Sequence, residues 1–530
     1  MLTFAPSQLF GAKPIFCVEF VFIGKTHRYS TDRITLSSNE GNLDYYPNII
    51  DFDFSESADI VSTDLEANIV SMAIIMEDVN LLEQLSNNVV LEGVKAEFFY
   101  ILTRFDSPEQ TYENRVILYK GQIEEPQFGD PSQMDNFISF SIEAQPYDSN
   151  RLLLDQNKYI DDRFPDRDIE TAEGKIWPII LGITTAAPSY CIRKRSGSTT
   201  ALFMIAGHTI EDTTILIKDE RFNSISKPVL NGVDNRGNVY SYIEIANGEG
   251  VDAPGILNSE SREWWSTIEG GFPNPYGAGF LTLGGDICRW ALSRSGQFVD
   301  DGAWANLSVI LNRYKFSGYI NDETITSWKW LQGNIIPFLP ITVRMGPNGL
   351  RPVLIELWAL SYVKPVYSIK IGDNEECQQI GPVDTIRATS DLVNEYTLSY
   401  AKTGFDQDYK SQVRVTNITS EDYDIPSEYS ILSVNAYGKK PAADSADYIY
   451  DDSSAEMIAL NKIRSNSLPL FQLEISAPTD LGWLLVGDCI EATIDRLYMI
   501  DHKMIITSKT WAGNHWRFTV IFERNPLQNQ

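Results

Sequence analysis

The chain has 530 residues, 43% of them hydrophobic and 12% aromatic, enough for roughly three or four packed domains of about 150 residues and too apolar for a disordered tail. Its 43 Lys and Arg stand against 72 Asp and Glu, a net charge of −29, which opposes sequence-independent binding to phosphate backbones, since that is driven by clustered cations. The five cysteines (Cys17, Cys191, Cys288, Cys377 and Cys489) are scattered singly as reduced core residues would be, and neither a secretory leader nor an apolar run of roughly 18 residues is present, so the expectation is a chain folded in a cytosol.

Short Val, Ile, Thr, Tyr and Phe runs punctuated by Gly, Pro, Asn and Asp predict a mainly β protein with α+β parts. Residues 1–155 read as one β-domain. Within it Ile138, Phe140, Ile142 and Ala144 alternate with Ser139, Ser141 and Glu143, the pattern of a half-buried strand, and Glu77 to Leu85 has helical spacing. Residues 156–280 carry further strands, with turns expected at Asn231-Gly232, Asn235-Arg236-Gly237, Asn247-Gly248 and Gly270 to Gly279.

The period then changes. Ile287, Trp290 and Ala291 mark a helix that stops near Gly296; Trp304, Leu307, Leu311 and Tyr314 mark a second, and Ile325, Trp328, Leu331 and Ile335 a third ending before Pro337. With a hairpin through Met345 to Leu350, residues 281–365 form a small α+β domain. Residues 366–530 return to strands. They include one helix opened by a capping box, Ser453-Ser454-Ala455-Glu456, that buries Ala455, Ile458, Ala459 and Ile463 and ends before Pro469. Phe518, Val520 and Phe522 alternate in a closing strand after a Gly513-Asn514 turn.

Chemistry has few possible centres. The four histidines, His27, His208, His502 and His515, fall in no metal-binding spacing and read as polar residues at strand ends. Asp51-Phe52-Asp53-Phe54-Ser55 begins like a calcium loop, but Glu56 stands where the sharp turn needs glycine and Ser62 where the closing acid belongs. No P-loop or nucleophile-elbow motif occurs, and Gly248-Glu249-Gly250 lacks the third glycine of a dinucleotide loop. Glu263 beside Trp264 and Trp265 is the one carbohydrate-like feature; an aromatic loop of Trp264, Trp265 and Tyr276 that packs on its own domain or on a partner is the simpler reading. No catalytic, cofactor or metal residue is expected.

The order of segments resembles the bacteriophage tail hub, or baseplate hub, family. At the N-terminus the resemblance rests on Val18-Glu19-Phe20, Tyr45-Tyr46-Pro47, Leu118 to Ile123, Ser139 to Ala144 and Glu173 to Gly182. At the C-terminus it rests on Asp391 to Tyr400, Ser430 to Gly438, the capped helix, and Leu485-Val486-Gly487-Asp488-Cys489-Ile490. The resemblance implies two tail-tube-like β-barrel domains at the chain ends, residues 1–155 and 366–530, in a homotrimer that makes a six-part ring around the DNA channel. It implies as partners the distal tail protein and tail tube, a fibre or spike, the tape-measure protein and, transiently in the lumen, genomic DNA. It also implies a place in the virion at the tail tip, assembled in the host cytoplasm. No lysozyme or peptidase motif accompanies it. The alternative is a host-surface glycan-binding tail-tip or fibre protein, against which stands the lack of sequence repeats or heptads.

Overall fold

The computed structural model describes residues 13–58, 69–75, 90–103, 111–128, 137–143, 151–155, 162–164, 167–168, 172–194, 200–210, 214–219, 224–246, 264–296, 298–346, 348–373, 375–402 and 408–523. The chain is mainly β, in several sheets, and among the described residues its α-helices lie in the second half. The helix expected at Glu77 to Leu85, the Asn247-Gly248 turn and Glu263 lie outside the described residues.

The first segment supplies β1 (Lys13–Phe22), β2 (Lys25–Ser30), β3 (Ile34–Ser38), β4 (Gly41–Tyr45), β5 (Ile49–Ser57), β6 (Ile69–Ile75), β7 (Lys95–Thr103), β8 (Val116–Phe128) and β9 (Phe137–Glu143). Seven of these form an antiparallel run in the order β2-β1-β7-β8-β9-β6-β5, and β3-β4 is a separate hairpin over the outer face of β1 and β7. The alternation read in β9 holds, with Ile138, Phe140 and Ile142 buried and Ser139, Ser141 and Glu143 turned outward.

The middle of the chain gives β10 (Arg167–Asp168), β11 (Ile179–Leu181), β12 (Ile183–Lys194), β13 (Thr200–Ala206), β14 (Thr214–Asp219), β15 (Ser224–Pro228), β16 (Leu230–Val233), β17 (Val239–Ala246) and β18 (Trp264–Glu269). All but β11 belong to one eight-stranded sheet. Asn231-Gly232 is not a turn: both lie in β16, where a Cβ on Gly232 would come within 2.7 Å of the Tyr240 ring opposite. The reversal is made by Asn235-Arg236-Gly237, with Gly237 at φ +84°.

Helices α1 (Gly284–Arg294), α2 (Asp301–Leu311) and α3 (Ser327–Asn334) follow, with β19 (Gly318–Ile320) and the hairpin β20 (Ile341–Gly346) and β21 (Gly349–Leu354). Gly296 takes a left-handed φ of +81° just past α1, and Pro337 sits in a short 3-10 turn beyond α3.

The last segment supplies β22 (Tyr367–Lys370), β23 (Gln378–Arg387), β24 (Glu395–Lys402), β25 (Tyr409–Thr416), β26 (Asp424–Pro426), α4 (Glu428–Tyr437), β27 (Pro441–Ser445), α5 (Asp452–Asn466), β28 (Leu470–Ala477), β29 (Cys489–Ile494), β30 (Met499–Trp511) and β31 (Trp516–Glu523). Strands β24 to β27 with α4 and α5 form an α/β insertion, whose core merges with that of the α1–α3 helices. The cap of α5 differs from the one expected: Asp451, two residues earlier, accepts from the Ser454 amide at 2.9 Å, because the helix begins at Asp452. The four expected inward residues are buried.

The remaining strands run β22-β29-β30-β31-β28-β23. Removing insertions, the two ends of the chain share a strand order. Labelling six strands of each in sequence as first to sixth, β1, β5, β6, β7, β8 and β9 or β22, β23, β28, β29, β30 and β31, both sheets read first-fourth-fifth-sixth-third-second. They differ in the first strand, antiparallel to its neighbour in β1 and parallel in β22. The match extends to residues: Gly93 at φ +78° donates its amide to the Ile123 carbonyl, and Gly487 at φ +91° donates to that of Ile506. The two sheets are joined edge to edge where Ser55, Glu56 and Ser57 of β5 pair with Thr510, Lys509 and Ser508 of β30, giving one sheet of thirteen strands. No closed barrel is formed among the described residues; β2 and β23 are the outermost strands, β2 being bridged at Tyr29 to Tyr46, and Cys377, just before β23, to Ile371.

Candidate functional site

The thirteen-stranded sheet has one face in the core; on its other face Ile505, Ile521 and Leu470, at the far ends of β30, β31 and β28, are buried against the helical core, and the remaining strip from β8 through to β28 is lined by polar residues. Because directly opposed residues of antiparallel strands share a face, register defines its rows. One row runs Glu124, Ser141, Ser71, Asp53; the next runs Gln127, Ser139, Ala73, Asp51. Across the joint, Ser55 opposes Thr510, which opposes Arg517 and then Ser476; Ser57 opposes Ser508, then Thr519 and Glu474. The side chains of Ser55 and Thr510 touch at 3.2 Å, so the face is continuous over the joint.

This face is made of small hydroxyls and carboxylates, with Arg517 the cation in these rows. In front of β5, β6 and β9 it hollows into a concavity of about 290 Å³ lined by Asp51, Asp53, Ser71, Ser139 and Ser141, with Glu125 and Gln127 at its rim. Glu125 holds a left-handed φ of +48° in the β8 bulge that forms the rim. Partial burial, then the carboxylates of Glu92, Glu143 and Glu125, hold the Glu124 carboxyl above its usual range. Asp51 and Asp53 stand side by side on an extended strand, so the aspartates of the rejected calcium loop have no loop to close.

The opposite face at the joint is a buried ionic cluster that no sequence motif announces. Lys509 is fully buried, its ammonium donating to the Gly482 carbonyl and lying over the Trp516 ring. Glu56, from the partner strand, lies 3.4 Å from Arg344 of β20. Arg351 of β21 and the half-buried Asp488 complete the group, Arg351 donating to the Val486 carbonyl. Burial pushes the Lys509 ammonium down to about 8 against the opposing pull of Glu56 and Asp488, and burial raises the Asp488 carboxyl although Arg351 lowers it.

Trp264 and Trp265 open β18, an interior strand paired with both β12 and β14, so their backbone belongs to a strand and not to a loop. Tyr276 is in the loop before α1, its ring under the Arg289 guanidinium at 3.9 Å and packed on the helical core. Of the motif residues, Asn394 is structural: its amide donates to Gly438 and Ser433 and its Oδ1 accepts from the Lys440 amide, clamping the corner after α4.

Two of the four histidines differ from the expectation of polar strand ends: His27 is buried inside β2, stacked on Phe20, and His208 is buried beyond β13, its Nε2 accepting from the Ile180 amide at 3.0 Å, whereas His515 stands just before β31 as expected. Burial holds His208 down at about 4, so between pH 6.5 and 4 the unfolded chain binds more protons than the folded one. His208 stability is therefore complete above pH 6.5 and is lost as pH falls towards 4, by roughly 3 kcal/mol. Denaturant titrations of the wild type and His208→Gln should converge across that window; parallel curves would refute the assignment.

No protein-family model and no curated protein sequence matches the chain. Among solved structures it is similar to a tail protein from Neisseria meningitidis MC58, at 11% identity and a TM-score of 0.37, covering 96% of this chain and 97% of that one. It is similar also to the 43 kDa tail protein of prophage MuSo2 from Shewanella oneidensis, at 7% identity and a TM-score of 0.38, covering 96% and 98% of the two chains. A third likeness is to a chain in the virion of a native gene transfer agent particle, at 11% identity and a TM-score of 0.37, covering 66% of this chain and 85% of that one.

Proposed function

We propose that the chain is a structural, non-enzymatic subunit of a bacteriophage tail, the hub at its distal end, in which three copies form a ring around the DNA channel. One observation carries the reading: both ends of the chain have the same strand order and are already joined edge to edge in one sheet. Three such chains present six related units, which lets a three-fold body meet a six-fold tube without unmatched contacts. The acidic, hydroxyl-lined face supports the same reading, because a lumen wall of like charge to the phosphates lets duplex DNA pass without adhering.

On this proposal the distal tail protein or tail tube docks on one side of the ring and a fibre or spike on the other, and the tape-measure protein and DNA traverse the lumen. Trp264, Trp265 and Tyr276 remain candidates for contact with one of these partners. Light scattering on the purified chain is expected to return three copies, with ring-shaped class averages. A species that stays monomeric at tens of micromolar would sink the hub.

A further inference from the structure

The joint inside the chain specifies what a joint between chains would be. Equivalent positions follow from register: Ile123 opposes Ile142 and Ile142 opposes Val70, as Ile506 opposes Val520 and Val520 opposes Leu473. Each fifth strand then carries a one-residue bulge, so that Gln127 opposes Ser139 four residues on, as Thr510 opposes Arg517. Gln127 is therefore the counterpart of Thr510 and Pro126 that of Lys509. On the second strand, Asp384 opposes Gln472, the residue before Leu473, and Ser55 occupies the same step beside Val70.

In the chain, the second strand of the first unit, β5, docks on the fifth strand of the second unit, β30, just past the point where its fourth-strand neighbour ends. The reciprocal elements are open. β23 pairs with β28 alone, and β8 beyond Ile123 has no partner on its β7 side among the described residues. From this we propose, resting on the ring reading above, that β23 of one copy adds to the free edge of β8 of the next, with Asp384 opposite Gln127. The occupant is a second copy of this chain because the joint it makes is the one the chain already makes with itself.

The two joints are not equally strong. Lys509 lies between paired residues whose amides serve the ladder, whereas Pro126 has no amide hydrogen and no charge to bury. Gly381 and Pro382 further restrict the usable edge of β23 to its last residues. The joint between copies thus lacks both a rung and the ionic cluster, and it is the one that opens first.

The experiment pairs Gln127→Cys with Asp384→Cys. Directly opposed Cβ atoms about 4.5–5.5 Å apart are close enough to bridge with slight adjustment. Oxidation is expected to give covalent dimers and trimers on a non-reducing gel, absent in either single variant. The internal counterpart, Ser55→Cys with Thr510→Cys, should close within one chain and serves as the control for reactivity. Pro126→Thr, which restores the donor, should lower the dissociation constant between copies about fivefold. A trimer by light scattering in which the control closes but the Gln127/Asp384 pair does not would overturn this inference and leave the ring. A monomer would overturn both.

Discussion

Trp516→Ala is expected to lower the unfolding free energy by about 3–5 kcal/mol, the range for removing a large aromatic from a packed core. Its ring is fully buried where the two ends of the chain meet: centroids of Phe16, Phe54 and Tyr100 from the first segment lie within 5.9–6.2 Å, and Trp511 from the last at 4.9 Å. Its Nε1 donates to the Thr479 carbonyl at 3.1 Å, and Gly482 is backed so closely against the ring that a Cβ there would fall 2.3 Å from Nε1. The loss therefore combines transferred area, a cavity and an orphaned carbonyl. Urea unfolding followed by tryptophan fluorescence would measure it, and Gly482→Ala should act in the same direction by overpacking. A loss under 1 kcal/mol for Trp516→Ala would mean that the two ends do not share a core.

Glu56→Ala should cost a similar amount, about 3–5 kcal/mol near neutral pH, because it leaves the buried Lys509 and Arg344 facing one remaining carboxylate. The pH dependence identifies the cause. With Lys509 held down at about 8, the unfolded chain binds more protons than the folded one between pH 8 and the ordinary lysine value near 10.5, so this group's contribution grows as pH rises through that window. Removing Glu56 withdraws a charge that favours the ammonium, so the difference between variant and wild type is largest below pH 8 and shrinks above it. Equal differences at pH 7 and pH 9.5 would reject the ionic account and leave only lost packing.

Local order was legible in the sequence where one face of an element meets one core. β9 alternates as read, β31 buries Phe518, Val520 and Phe522 as expected but loses the alternation where Ile521 and Glu523 are also buried, and α1 to α3 bury the stripes of Ile287, Trp304 and Trp328. Errors arose where tertiary neighbours override local preference. Asn231-Gly232 has the composition of a tight turn, but Gly232 is required by the Tyr240 ring across the ladder. The α5 cap moved from Ser453 to Asp451 because the helix begins at Asp452, and the Asp451 carboxylate accepts from both the amide and the hydroxyl of Ser454. The joint itself was beyond reach: Ser55 and Thr510 are 455 residues apart in sequence, and nothing in the composition of either strand names the other. Lys509 reads as an ordinary outward strand cation until the aromatic layer beneath it is known.

The insertions fall at different places in the two equivalent units. The first carries its β2 strand and β3-β4 hairpin between the first and second strands, and the second carries the β24–β27 and α4–α5 layer between the second and third. A ring of identical six units could offer a neighbour only one kind of surface, six times over. With two units fused in each chain, the proposed ring alternates a hairpin-bearing position with a helix-bearing one, and its periphery repeats every 120° while its inner sheet repeats, approximately, every 60°. On that proposal two related units with unequal insertions make a single polypeptide a converter between two rotational orders, and a three-fold appendage would find its address in the insertions and not in the sheet.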